Sequence, residues 1–400
     1  MKPIVSAAIA AIGLSACSAP GATARFETAP RLVAPGAVGT AQFLFGSGGD
    51  IEMIAAIGNR GRSRLDALTS RDGGDTFRDL GPITESGTDI DAQGENAPRF
   101  AMDREEVLYA LWRQDVPSQQ ILLAVHDWRT GKYSKPIPVR DANARGLAGF
   151  ADLGVGTGGT AYVVWLDERD QKRSGDSSSV YFASLRGGRF SRNVRIASSA
   201  CSCCRPAVAV ADDGTIYVAW RHDDHDLRDI ALATSHDGGR SFSPMGFVAR
   251  DGWRLHGCPE SGPSLLAAGR RLYVAWYTQG TEARSRIRLS YTDDDGKTFA
   301  APVDVSQATL DANHPHLVAM KPSGVAVTFE ARDPHEGNGW SALVPYLVEI
   351  GGAGAVSAPV ALAAPKTADA IYPYAVARDA NSLFVSYALG DRAVVVRGRV

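Results

Sequence analysis

Seven short apolar runs, spaced 53 to 58 residues apart, constrain this chain more than any other feature. Six end in an aromatic: "VLYALW" at Trp112, "AYVVW" at Trp165, "IYVAW" at Trp220, "LYVAW" at Trp276, "VAVTF" at Phe329 and "LFVSY" at Tyr387. A seventh, "EMIAAI", ends at Ile57. A fixed period of this length marks an architecture built from one recurring supersecondary unit. Upstream of each run lies another short strand pattern, usually opened by proline, as in "RPAVAVADD", "GPSLLAAG" and "YPYAVARD". Downstream come a third pattern such as "DIALATS" and a fourth built on an aromatic near a proline, as in "KTFAAPVDVS". Four short antiparallel strands per unit predict an all-β propeller. Parallel strands joined by helices are excluded, because the connections are too short and too polar.

The last unit supplies only three strand patterns before the chain stops, whereas residues 24–34 supply the missing fourth. Joining them would pair an exposed sheet edge and close the ring. The count is therefore seven blades, or six if the weak first unit is a decoration. The predicted layout is an export segment over 1–17, a short linker over 18–23 and one propeller domain over 24–400. The apolar run Ile4–Leu14 is too short to span a bilayer and reads as an export signal. "LSAC" at 14–17 resembles the lipobox of bacterial lipoproteins, which implies that Cys17 is lipidated and anchors the chain to the cell envelope. Ser18 after it goes with an outer-membrane destination facing the periplasm. A net charge of -2 excludes the concentrated basic face of a nucleic-acid binder.

Three octamers fall in register with the repeat: "SRDGGDTF" (70–77), "SHDGGRSF" (235–242) and "TDDDGKTF" (292–299). All fit Ser/Thr-x-Asp-x-Gly-x-Thr/Ser-Phe. They resemble the Asp-box, or BNR repeat, of the sialidase-like propeller superfamily, and the resemblance spans essentially the whole mature chain. Asp72, Asp237 and Asp294 are expected to accept turn N–H groups, with the glycines at positive φ. They are structural aspartates on the face away from the usual site.

In such a propeller, the loop leading into each innermost strand and the loop after the second strand share one face around the channel. "ACSCCRP" leads into the fourth unit and "RLHGCPESGP" into the fifth, while "DANHPHL" and "DAIYPY" open the sixth and seventh. Cys201, Cys203, Cys204 and Cys258, with His256, His314 and His316, are thus expected in one sector of the rim. An even count of mature cysteines in an oxidising compartment favours disulfides. Adjacent cysteines rarely bond to each other, so Cys258 is expected to pair with one member of the cluster. A copper or zinc site using these thiolates and histidines and a redox-active dithiol remain open.

The sialidase resemblance implies an exo-sialidase-type hydrolase acting on acidic sugars. Arg99, Arg221 and Arg332 would clamp a carboxylate, Tyr372 or Tyr374 would be the nucleophile, and Glu330 would assist it. The paired "CxCCR" and "GCPxSGP" loops resemble those of bacterial Asp-box lipoproteins. That likeness leaves two other readings: a module binding a small ligand, glycan or metal at the rim, and a scaffold that contacts another envelope protein.

Overall fold

The computed structural model describes residues 25–59, 62–127, 130–173, 177–320, 324–336, 340–351, 355–362 and 368–399. The expected export segment over 1–17, with Cys17, lies outside the described residues. Strands alternate with tight turns, and among the described residues the one helical element is the single turn Gly94–Asn96. Each period forms an antiparallel unit with four strand positions, some of them split between two short strands, so that the second and third units hold six and five strands. In the fourth unit these strands are Ala207–Val210, Ile216–Arg221, Ile230–Ser235 and Gly246–Phe247. The aromatic within the second strand of every unit after the first is a core plug: Trp112, Trp165, Trp220, Trp276, Phe329 and Tyr387 are all almost fully buried.

The innermost strands are Ala37–Phe45, Arg99–Met102, Ala148–Val155, Ala207–Val210, Ser264–Ala268, Leu310–Ala319 and Ala370–Ala377. Each touches the next, and Ala370–Ala377 touches Ala37–Phe45, so the contacts run in a closed cycle. A hydrophobic cluster fills the gap between every neighbouring pair of units, the last and first included. By hydrogen bonding alone there are six sheets among the described residues. One of them is nine-stranded and holds the seventh and first units, which meet at the single pair Val38 and Arg392. Seven inner strands thus surround a central channel.

The seventh unit takes its outer strand from the other end of the chain. Arg25 pairs with Arg399, Phe26 with Gly398, Arg31 with Val395 and Leu32 with Val394. Charge reinforces this seam: Arg397 meets Glu27 at 2.8 Å and Asp75 at 2.8 Å, and Arg31 meets Asp75 at 2.9 Å.

The three octamers form equivalent turns between third and fourth strands. In each, the aspartate accepts from the first Ser/Thr hydroxyl at 2.8 Å (Ser70, Ser235, Thr292). It also accepts the backbone N–H and the hydroxyl of the residue four positions on. These bonds hold Asp72 and Asp237 well below the ordinary carboxylate range and Asp294 at about 2. At Gly74, Gly239 and Gly296 φ is +86°, +84° and +84°. A Cβ there would collide with Phe384, Phe182 and Leu232 respectively, each on the preceding unit. The turn therefore also seats one blade on the one before it.

Candidate functional site

The innermost strands enclose a cavity of about 220 Å³ at the end where they begin. All seven units contribute to its wall. Four of these strands are bulged at matching places, with register shifts after Val38, Gly149, Asn313 and Ile371. The bulges put Gly39, Phe150, His314 and Tyr372 at φ of +71°, +53°, +47° and +56°. For non-glycine residues this region costs on the order of 1–3 kcal/mol, and such strain clusters at functional sites. Bulges also re-aim side chains out of the pleat. Here they bring the His314 and Tyr372 rings together in the cavity wall, with centroids 3.9 Å apart.

The buried charges come with their own counter-charges. Arg99 Nε lies 3.0 Å from Asp152 Oδ1, and Asp152 Oδ2 accepts the Val208 N–H at 2.9 Å. Glu95 Oε2 accepts the backbone N–H of Arg205 at 2.9 Å and of Gly262 at 3.2 Å, so it ties the loops leading into the fourth and fifth units. The Arg205 guanidinium donates to the carbonyls of Gly94, Glu95 and Ala97. Burial lowers its pKa to about 10.

His314 is held from both sides: Nδ1 bonds Glu330, and Nε2 lies 2.8 Å from the Glu260 carbonyl. With Glu330 ionised, two acceptors require two N–H donors, and the ring is an imidazolium. Burial opposes that charge, but the Glu330 carboxylate outweighs it and holds His314 above the usual histidine range. The other Glu330 oxygen accepts the Tyr372 N–H at 3.1 Å.

His316 is the opposite case. Its Nδ1 accepts the Ala375 N–H at 3.3 Å, and burial, with Arg99 nearby, pulls its pKa down to about 3. Burial also raises both tyrosines: Tyr374 to about 12, and Tyr372 further still, with Glu95, Glu330 and Glu260 adding to the effect. Both phenols stay protonated at neutral pH.

Of the residues singled out in the sequence, Arg99, His314, His316, Tyr372 and Tyr374 line this cavity, and Glu330 supports it from behind. Two of the three expected arginine clamps are elsewhere. Arg221 is fully buried away from the cavity, where it donates to the carbonyls of Ser261, Arg228 and Tyr277 and lies over the Trp253 ring. It braces the fourth unit against the fifth. Arg332 is half-buried outside the cavity, paired with Asp311 at 3.1 Å and with the Ser341 carbonyl. Nor does Glu330 contact a tyrosine hydroxyl, because both of its oxygens are engaged by His314 and a backbone N–H. The expected Arg–Arg–Arg clamp and Tyr–Glu pair are therefore not assembled.

Glu95, Asp152 and Arg205 were not anticipated. A signal for one of them existed. The residues flanking the proline that opens an inner strand face the cavity in several units (Arg205, His314 and Tyr372 before it; Arg99, His316 and Tyr374 after it). Glu95 and Asp152 fall outside that pattern.

The cysteines form two bridges, Cys201–Cys204 and Cys203–Cys258, with Cα separations of 5.5 and 6.2 Å. Paired sulfurs are not thiolate ligands, although Cys201, Cys203 and Cys204 lie within 4.8 Å of one another. The histidines expected to join them are dispersed. His256 is exposed and pairs with Asp226 at 3.2 Å, whereas His314 and His316 line the channel, His314 with both ring nitrogens bonded and His316 with Nδ1 bonded. The proposed copper or zinc set is not brought together.

No protein-family profile matches the chain, and no curated protein matches it. Among solved structures it is similar to a protein of unknown function from Dyadobacter fermentans, with a TM-score of 0.55 and 14% identity over 96% of this chain and 100% of that one. It is similar to the polysaccharide lyase Uly1, with a TM-score of 0.53 and 10% identity over 92% and 90%. A Hadza microbial sialidase gives a TM-score of 0.50 and 12% identity over 86% and 73%. At these identities the likeness is one of fold: the chain is a sialidase-like β-propeller.

Proposed function

We propose that the channel mouth binds a small polyhydroxylated ligand of the size of one sugar ring, and that the protein is a binding module rather than a sialidase. The observation that carries this reading is the self-neutralised cavity. Arg99 is paired with Asp152 and imidazolium His314 with Glu330, while the Arg205 guanidinium is engaged by three backbone carbonyls, with the Glu95 carboxylate near enough to offset its charge. No surplus cation is left to attract a carboxylate, yet rigid donors and acceptors line a space suited to hydroxyl groups. The volume supports a small occupant, being under the roughly 300 Å³ at which ordinary ligand pockets begin. A second hollow of about 410 Å³ shares Thr40, Gly94, Glu95 and Tyr372 with the first, leaving room for a longer glycan to exit. Sialidase- and lyase-like neighbours fit a glycan-type ligand by analogy of fold alone.

The test is calorimetry with neutral monosaccharides, uronic acids and sialic acid. A neutral ring is expected to bind, and Arg99→Ala to weaken it about tenfold or more, the loss of one charged hydrogen bond. Binding of sialic acid alone, or of none of the panel, overturns the reading. Turnover of a fluorogenic sialoside that Tyr372→Phe abolishes would restore the sialidase alternative.

Anchoring through Cys17 at the outer membrane, facing the periplasm, belongs to the same proposal, as does any envelope protein met by the rim. Palmitate labelling of the wild type should be lost in Cys17→Ser, with release into the soluble fraction. Labelling that persists in Cys17→Ser removes the anchor.

A further inference from the structure

The two disulfides touch each other. Cys201 Sγ lies 3.6 Å from Cys203 Sγ, although these atoms belong to different bridges. The bridges differ sharply in access. Cys201 and Cys204 are each 1% exposed, Cys203 is half-buried and Cys258 is exposed. Exchange proceeds by thiolate attack on a disulfide sulfur, and access decides which sulfur is attacked. We propose that this cluster is a thiol–disulfide exchange site, in which an external dithiol enters at Cys258 and the freed thiol passes through Cys203 to Cys204.

In the first step a thiolate of the dithiol bonds to Cys258 Sγ. The Cys203–Cys258 bond breaks, and Cys203 leaves as a thiolate. In the second, Cys203 Sγ bonds to the adjacent Cys201 Sγ, the Cys201–Cys204 bond breaks, and Cys204 takes the electron pair and a proton. The reductant's second thiol then attacks its own sulfur in the mixed disulfide, and Cys258 leaves and takes a proton. One dithiol is oxidised to a disulfide, and one of the two protein disulfides is reduced. The product carries a Cys201–Cys203 bridge, with thiols at Cys204 and Cys258. A mere staple needs only suitable Cα separations. It gives no reason for the sulfurs of two separate bridges to be in contact.

The site is independent of the ligand proposed for the channel, and its test reads thiols only. Cys258→Ser leaves one unpaired cysteine among Cys201, Cys203 and Cys204, whose position after acid quenching, alkylation and peptide mapping is the readout. Label is expected on both Cys203 and Cys204, lost from the first in favour of the second. Label confined to Cys203 overturns the proposal. A second arm uses the wild type under limiting dithiothreitol without denaturant, and it decides the matter if Cys258→Ser fails to fold. There, label is expected on Cys258 and Cys204. Label on Cys258 and Cys203 alone, or none until denaturant is added, also overturns the proposal.

Discussion

His314 and His316 sit two residues apart on one bulged strand, yet the protein treats them in opposite ways. His316 is buried neutral, so the folded state resists its protonation while the unfolded chain does not. With a folded pKa of about 3, it contributes stability above the unfolded value near 6.5, and that stability is lost as pH falls towards 3. The expected outcome is a melting temperature that declines across this window, less steeply in His316→Gln, as followed by circular dichroism against pH. His314 runs the other way. Its raised pKa gives stability that is complete below about 6.5 and lost as pH rises through the folded value. Removing it leaves Glu330 buried without its partner, a situation that costs about 3 kcal/mol or more. Urea unfolding should place His314→Ala that far below the wild type, with His314→Ala/Glu330→Gln recovering a large part. Equal losses in the single and double variants would mean that the pair is not coupled.

At the scale of elements, the octamer turn couples local hydrogen bonding to packing between blades. Gly239 carries the sharpest version, since a Cβ there would stand 2.1 Å from the Phe182 ring. Gly239→Ala combines an unfavourable φ with overpacking and is expected to cost about 2 kcal/mol or more, measured by denaturant unfolding. The strands and these turns were legible in the sequence because period-2 patterning and turn chemistry are local signals. Even the convergence of the cysteine loops followed from the repeat, since equivalent positions in neighbouring units are neighbours in space. The site was legible only in part. Arg221 and Arg332 follow second strands just as a clamp would, but residue type does not reveal that one turns inward beneath Trp253 and the other outward to Asp311. The bulges at His314 and Tyr372 were hidden too, because a residue before proline ordinarily favours extended backbone. Glu95 takes its role from N–H groups more than a hundred residues away, and no local pattern announces such a partner.

For the whole molecule, the decisive element is the seam at which residues 25–32 lie against the last strand. Removing residues 25–34 would expose the N–H and C=O groups of Arg392–Arg399 along an open edge, a template for pairing with another chain. The shortened protein is expected to melt lower and to associate with rising concentration in light scattering. Glu27→Ala, which leaves the strand but loosens the Arg31 and Arg397 contacts, should melt lower without associating. The seam also gives the molecule a direction. First strands begin at the cavity, so third strands run away from it, and Arg399 ends at the opposite face with Arg25 paired beside it. Anything attached ahead of Arg25 therefore holds the propeller from behind, like the stem of a cup. The mouth of the cavity lies on the face away from that point of attachment.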